Sequence, residues 1–183
     1  MKFFEKQEKS ETKFQGILVE VDHDQVTLID GSKSTREVVK HPGGVCVAAQ
    51  LPNKKYLLVK QYRYGVKNES IEFVAGKMEP DIDAITQIQN ELQEETGYHC
   101  TDIKEVMTIY PSPAYLDEPL RLYTATATTQ GPQNLDEHEF LEILELSLDD
   151  ILYLIDTNVI KDSKTIALAY YLYRDLQKNH LQG

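Results

Sequence analysis

The sequence predicts an α/β fold: a mixed β-sheet with helices on both sides, an α/β/α sandwich preceded by a small N-terminal antiparallel β segment. Three observations carry this. The first half of the chain is a series of short runs rich in Val, Ile, Leu and Thr, separated by turn residues. The stretch Asp81 to Thr96 switches to a helical period. Strand-like runs then return, and the C-terminus is helical again. That order fits one sheet buried between helical layers.

Taken in order, Gly16–Val21 and Gln25–Ile29 read as strands of a hairpin around the polar turn Asp22-His23-Asp24. Thr35–Lys40 follows the break Asp30-Gly31-Ser32, and His41-Pro42-Gly43-Gly44 punctuates again. Val45–Leu51 and Tyr56–Tyr62 are nearly continuous apolar runs, the pattern of strands covered on both faces. In DIDAITQIQNELQEET, Ile82, Ile85, Ile88 and Leu92 form one helical face. Asp81 or Asp83 is placed to cap its start, and Gly97 suits the position past its end. Strands are expected at Ile103–Tyr110, Leu120–Thr128 and Phe140–Leu146, with a loop at Thr129–Glu139. Ser147-Leu148-Asp149-Asp150 resembles a capping box and opens a helix over Leu148–Asp156. Asp162 or Ser163 opens a second, over Lys164–Lys178.

The 183 residues suit a single domain, with about 1–40 as the N-terminal β segment and about 41–183 as the core. Lys and Arg number 19 against 30 Asp and Glu, a formal charge of −11. Nucleic acid and anionic lipid both demand clustered positive charge, so neither is an expected partner. Small phosphorylated ligands remain open, because a metal ion can supply positive charge. No apolar window is long enough to cross a membrane, and MKFFEKQEKSETK lacks the apolar core of a signal peptide. Cys46 and Cys100 have neither metal-type spacing nor a disulfide framework, which points to a reduced, cytoplasmic setting.

The candidate chemistry lies at the end of the central helix. Glu91 and Glu95 are four residues apart and share a face, with Glu94 one turn from Glu91. The ordinary reading of such a cluster is a solvated acidic face. Two features argue otherwise. The residues four away are Gln87, Asn90, Tyr98 and His99, so no Lys or Arg compensates the charge. Carboxylates at a helix C-terminus also oppose the macrodipole. Two such groups can chelate one divalent cation, and oxygen ligands suit Mg²⁺ or Mn²⁺.

Gly76-Lys77-Met78-Glu79-Pro80 followed by Glu91-Leu92-Gln93-Glu94-Glu95-Thr96-Gly97-Tyr98 resembles a Nudix box, G-x5-E-x7-R-E-U-x-E-E-x-G-U, over 23 ungapped positions. TREVVKHPGGVCV, LLVKQYRYG, IEFVAGKMEP, YPSPAYLDE and LDEHEFLEI resemble the ADP-ribose pyrophosphatase branch of that family. Two box positions depart: the first Glu is Ile82 and the Arg is Asn90. Their absence together leaves no unpaired charge, so the fold is expected to survive, while the Arg's usual orientation of the glutamates is lost.

The resemblance implies metal ligands at Glu91, Glu95 and the Ala75 carbonyl, with Glu94 a further metal or water-network group. It implies a catalytic carboxylate on a late loop, at Glu137 or Glu139; ordinary loop solvation remains the alternative for each of Asp136, Glu137, Glu139 and Glu142. Arg63 and Arg36 match basic substrate contacts, and a guanidinium grips a diphosphate through paired N–H donors; the alternative is a surface charge pair. Glu72 is read as a contact to ribose hydroxyls or metal, or as a strand-edge charge. The implied activity is Mg²⁺-dependent hydrolysis of a nucleoside diphosphate linked to another moiety, ADP-ribose above all, by a homodimer. Two other readings stand beside it: a pyrophosphatase of another nucleotide sugar, and a weakly catalytic domain that binds a nucleotide as a sensor.

Overall fold

A computed structural model describes residues 2–135 and 137–180, without the side chains of 179 and 180. The chain forms two compact units, one of residues up to Gly43 with Tyr110–Pro119, the other of Gly44–Ile109 with the residues from Leu120 onward.

The first unit is a three-stranded antiparallel sheet in the order β1 (Lys6–Gln15), β2 (Glu20–Thr27), β3 (Lys33–Lys40). This corrects the expected hairpin: Asp22-His23-Asp24 is no turn, and β2 runs straight through it. The polar residues mislead because they are strand residues facing inward. Asp22 and Asp24 share the buried side with Val26. Asp22 accepts from the Thr12 hydroxyl at 2.8 Å, and Asp24 accepts from the Gln7 amide at 2.8 Å. β1 escapes sequence reading altogether, since KQEKSETKFQ is exposed throughout and shows no apolar alternation. Charged residues on such an edge discourage pairing with another chain. The segment 110–119 is tied to β3, with the Val39 amide donating to the Tyr115 carbonyl and the Asp117 amide to the Val39 carbonyl.

The second unit holds a six-stranded mixed sheet. Its strands are β4 (Gly44–Gln50), β5 (Tyr56–Arg63), β6 (Asn68–Lys77), β7 (Tyr98–Ile109), β8 (Leu120–Gln130) and β9 (Leu141–Leu146). The order is β7-β8-β4-β6-β5-β9; β4 and β8 run parallel and the other neighbours antiparallel. β4 shows why both faces are apolar. Val45, Val47 and Ala49 join one buried cluster with Ala84, Ile88 and Leu92 of α1 (Ala84–Thr96). Cys46 and Ala48 join another with Leu148 and Ile151 of α2 (Leu148–Asp156) and Leu168, Ala169 and Leu172 of α3 (Ser163–His180). Each fully buried aliphatic side chain contributes about 1.5–3 kcal/mol. Glu72, read from the sequence as a ligand contact or a strand-edge charge, lies inside β6 and is buried.

The helix starts later than its apolar pattern suggests. Asp83 is the cap, its Oδ1 accepting from the Ile85 and Thr86 amides at 3.0 and 3.1 Å. Ile82 therefore precedes α1, and Ile85 is 49% exposed. The buried face is Ala84, Gln87, Ile88, Leu92, Glu95 and Thr96, so three polar residues share it and the expected Ile82 and Ile85 do not. Gly97 ends the helix at φ 75°, with its amide on the Gln93 carbonyl. The Ser147–Asp150 capping box at α2 forms as expected.

Candidate active site

α1 and β6 meet through a glycine. A Cβ at Gly76 would stand 1.8 Å from Glu91 Oε1, so only glycine admits the glutamate at this spot. Gln87 Nε2 donates to that same Oε1 at 2.8 Å and fixes the carboxylate from its own helix. One turn on, Glu95 is 3% exposed, and its Oε2 has no hydrogen-bond partner. Burial pushes the Glu95 carboxyl up to about 9, with the charges of Glu91 and Glu139 adding to it and Arg63 opposing. The last turn of α1 contains no basic residue.

A buried carboxylate oxygen without a donor, crowded by like charges, fits a cation. Among the described residues, no three His, Cys, Asp or Glu side chains form a ready-made metal cage. Two carboxylates suit Mg²⁺ in particular, which keeps waters and takes one or two carboxylates together with substrate phosphate. Ala75 lies on β6, opposite Cys46 of β4 and next to Gly76.

The loop after β8 is fastened to the end of α1. The Gly131 amide donates to the Gly97 carbonyl at 2.7 Å, and the Asn134 amide to the Glu94 carbonyl at 3.0 Å. Gln133 Nε2 donates to the Glu95 carbonyl at 2.5 Å. These bonds satisfy carbonyls that a helix end leaves open. The two loop candidates differ in burial. Glu139 is half-buried, and its charge is felt at Glu95. Glu137 has a side chain 88% exposed and pairs with the equally exposed His138, a contact worth little. Glu142 stands on β9 opposite Lys60. Asp136 lies outside the described residues.

Arg63 and Glu72 form a forked pair across β5 and β6: Nε to Oε1 at 2.9 Å and Nη2 to Oε2 at 2.8 Å. The sequence reading treats the two residues separately and misses their third partner. Lys164 Nζ, at the start of α3, reaches Glu72 Oε2 at 2.5 Å and Asp162 Oδ1 at 2.9 Å. Asp162 Oδ2 accepts from the amide and hydroxyl of Thr165, and the Thr165 hydroxyl accepts from the Phe73 amide of β6 at 3.0 Å. Burial alone would raise the Glu72 carboxyl, but Arg63 and Lys164 outweigh it and carry it down to about 2. One signal for Lys164 is present in the sequence: a cation in the first turn of a helix opposes the macrodipole and calls for a local anion. Arg36 lies on β3 in the first unit, bound to Glu5 Oε1 at 2.6 Å, the Ser34 hydroxyl and the Thr35 carbonyl.

A mixed sheet between helices, with a cation-seeking carboxylate pair at the end of one helix, defines an α/β protein built around an acidic site. The chain belongs to the Nudix family: the NUDIX domain model matches residues 39–169. It is a Nudix hydrolase. It is 38% identical to a methanol dehydrogenase activator of Bacillus methanolicus, over 93% of each chain. It is 34% identical to an ADP-ribose pyrophosphatase of Bacillus subtilis over 87% of each, and 31% identical to a GDP-mannose pyrophosphatase of Escherichia coli over 85% of each. In fold it resembles the crystal structure of an ADP compounds hydrolase, with a TM-score of 0.83 over 96% of this chain and 95% of that one, at 16% identity.

Proposed function

We propose that this protein hydrolyses a nucleoside diphosphate linked to another moiety, with ADP-ribose as substrate and AMP and ribose 5-phosphate as products. The observation that carries the reading is the buried, donor-less Glu95 Oε2 beside Glu91. Two pyrophosphatase relatives covering most of the chain support it. Glu91, Glu95 and the Ala75 carbonyl would hold Mg²⁺, and Mn²⁺ fits the same oxygen donors. When bound, the ion neutralises the diphosphate and lowers the pKa of water. Glu139 takes a proton from the water that attacks phosphorus. Glu94 orders that water, and Glu137 is the lesser candidate for the proton transfer. Arg63 grips the diphosphate, and Glu72 holds Arg63 for that task.

The test is a screen for phosphomonoester products, read as phosphate after coupling to a phosphatase, over ADP-ribose, GDP-mannose and dinucleoside diphosphates with Mg²⁺. ADP-ribose is expected to give the highest kcat/KM, and a chelator to abolish turnover. Ile82 and Asn90 favour a second reading, a nucleotide-binding sensor, since the family's Glu and Arg are both missing from the box. Tight ADP-ribose binding without turnover of any substrate would establish that reading instead.

Assembly as a homodimer through residues 1–40 is supported by exposed apolar side chains on the first unit, among them Phe14, Ile17, Leu18 and Ile29. Light scattering should then give about 42 kDa, twice the 21.0 kDa chain; a 21.0 kDa species at micromolar concentration contradicts it. A cytoplasmic setting is supported by two buried free thiols, Cys46 and Cys100. No helix among the described residues is long and apolar enough to cross a membrane. The charge of −11 supports small-molecule over nucleic-acid partners.

A further inference from the structure

The four charged groups Arg63, Glu72, Lys164 and Asp162 run from the protein interior to its surface. The side chains of Glu72, Lys164 and Asp162 are 3%, 11% and 16% exposed, whereas Arg63 is 44% exposed. Two cations and two anions balance, so the group as a whole is neutral. Arg63 nevertheless feels three carboxylates, with Glu72 foremost and then Glu95 and Asp162. Each draws on the positive charge that the guanidinium presents outward. Lys164 bonds two of the three, Glu72 and Asp162, from the interior side.

We infer that Lys164 is a positioning residue for the anionic substrate: it neutralises Glu72 and Asp162 from within and leaves the charge of Arg63 facing a bound diphosphate. Without it, Arg63 stands against two uncompensated buried carboxylates and its field at the surface is largely cancelled. In a chain of net charge −11 a cation facing an anionic ligand is scarce, and buried charges are weakly screened by salt. Lys164 touches no reacting atom in this scheme. Its effect passes through Glu72 to Arg63, so it falls on binding and spares the chemical step. The inference rests on the reading of Arg63 as the diphosphate-binding group.

The experiment compares wild type, Lys164→Met, Lys164→Arg and the double variant Asp162→Asn with Lys164→Met. The measurements are kcat and KM for ADP-ribose with Mg²⁺, and Kd for its non-hydrolysable α,β-methylene analogue. Lys164→Met is expected to raise KM and Kd about tenfold with kcat within about twofold, since supporting groups of this kind are worth about 10–100-fold. Lys164→Arg keeps the charge and should restore both to within about threefold of wild type. The double variant removes one charge of each sign, and Asn still caps the helix. It therefore keeps the interior neutral even where Lys164→Met alone fails to fold, and its KM should lie below that of Lys164→Met or, if that variant is lost, within about threefold of wild type. A merely structural lysine would lower the active fraction, seen as reduced kcat at unchanged KM, and that result overturns the inference. Equal Kd in wild type and Lys164→Met overturns it alone. Wild type that binds no nucleoside diphosphate overturns the functional reading and this inference with it.

Discussion

Glu72 and Glu95 are both buried glutamates of the same unit, and burial by itself raises both carboxyls. They end far apart, at about 2 for Glu72 and about 9 for Glu95. The difference lies in what surrounds them. Glu72 meets Arg63 and Lys164; Glu95 meets the charges of Glu91 and Glu139, and Arg63 only partly offsets them. The chain thus supplies its own cations at one carboxylate and withholds them at the other. The first is stable as an ion without help. The second is stable only with a proton or with a cation from solution, which is the observation behind the proposed metal site.

The largest expected effect breaks the cation-seeking side of this comparison. Glu91→Gln and Glu95→Gln should each abolish measurable Mg²⁺-dependent turnover of ADP-ribose, a loss of at least about 10³-fold, because several kcal/mol of charge stabilisation depend on the ion. Circular dichroism should show the fold intact, since removing like charge offsets the lost contacts.

Next comes the loop. Glu139→Gln should cost about 10²-fold in kcat, the lower end for a proton-transfer group, while Glu137→Gln stays within about twofold. Equal losses would show that the burial of Glu139 and its charge at Glu95 do not distinguish the two residues.

The last prediction concerns stability and sharpens the scaffold side. At pH 7, Glu72→Gln leaves Arg63 and Lys164 without their carboxylate and should cost about 3–5 kcal/mol in denaturant unfolding. The folded-state carboxyl lies near 2 against an ordinary 4.5, so its stabilisation is full above pH 4.5 and fades as the pH falls toward 2. The gap between wild type and variant should close over that window. A gap that stays constant from pH 7 to 2 would show that Glu72 stabilises by packing and not as an ion.

The parts legible in the sequence are those with local causes. GVCVAA reads as a strand buried on two faces, and β4 indeed sends alternate residues to two clusters. The Ser147–Asp150 box and Gly97 mark helix ends through bonds within a turn. Glu91 and Glu95 are visible because no cation stands one turn away. The illegible parts depend on partners far along the chain. Lys164 and Glu72 are 92 residues apart, and Gln133 reaches the end of α1 from 38 residues on. β1 is exposed throughout and pairs with β2 without an apolar face of its own, so neither period nor apolar content announces it. Ile85 looks like core by spacing and is exposed, because the helix starts at Ala84 and turns Gln87 and Glu95 inward instead.

The central claim is that Glu95 is a buried carboxylate awaiting a divalent cation. Thermal melting of wild type and Glu95→Gln at pH 7, with and without Mg²⁺, tests it most directly and needs no substrate. Without metal, Glu95→Gln should melt above wild type, because at pH 7 wild type must take up a proton on folding at Glu95, whose carboxyl rises from the ordinary 4.5 to about 9, and glutamine needs none. With Mg²⁺ at about 100 times Kd, wild type should gain about 2.7 kcal/mol, or roughly 5–10 °C for a chain of this size, and Glu95→Gln should gain almost nothing. The same Mg²⁺ shift in both proteins, or none in wild type, would contradict the account.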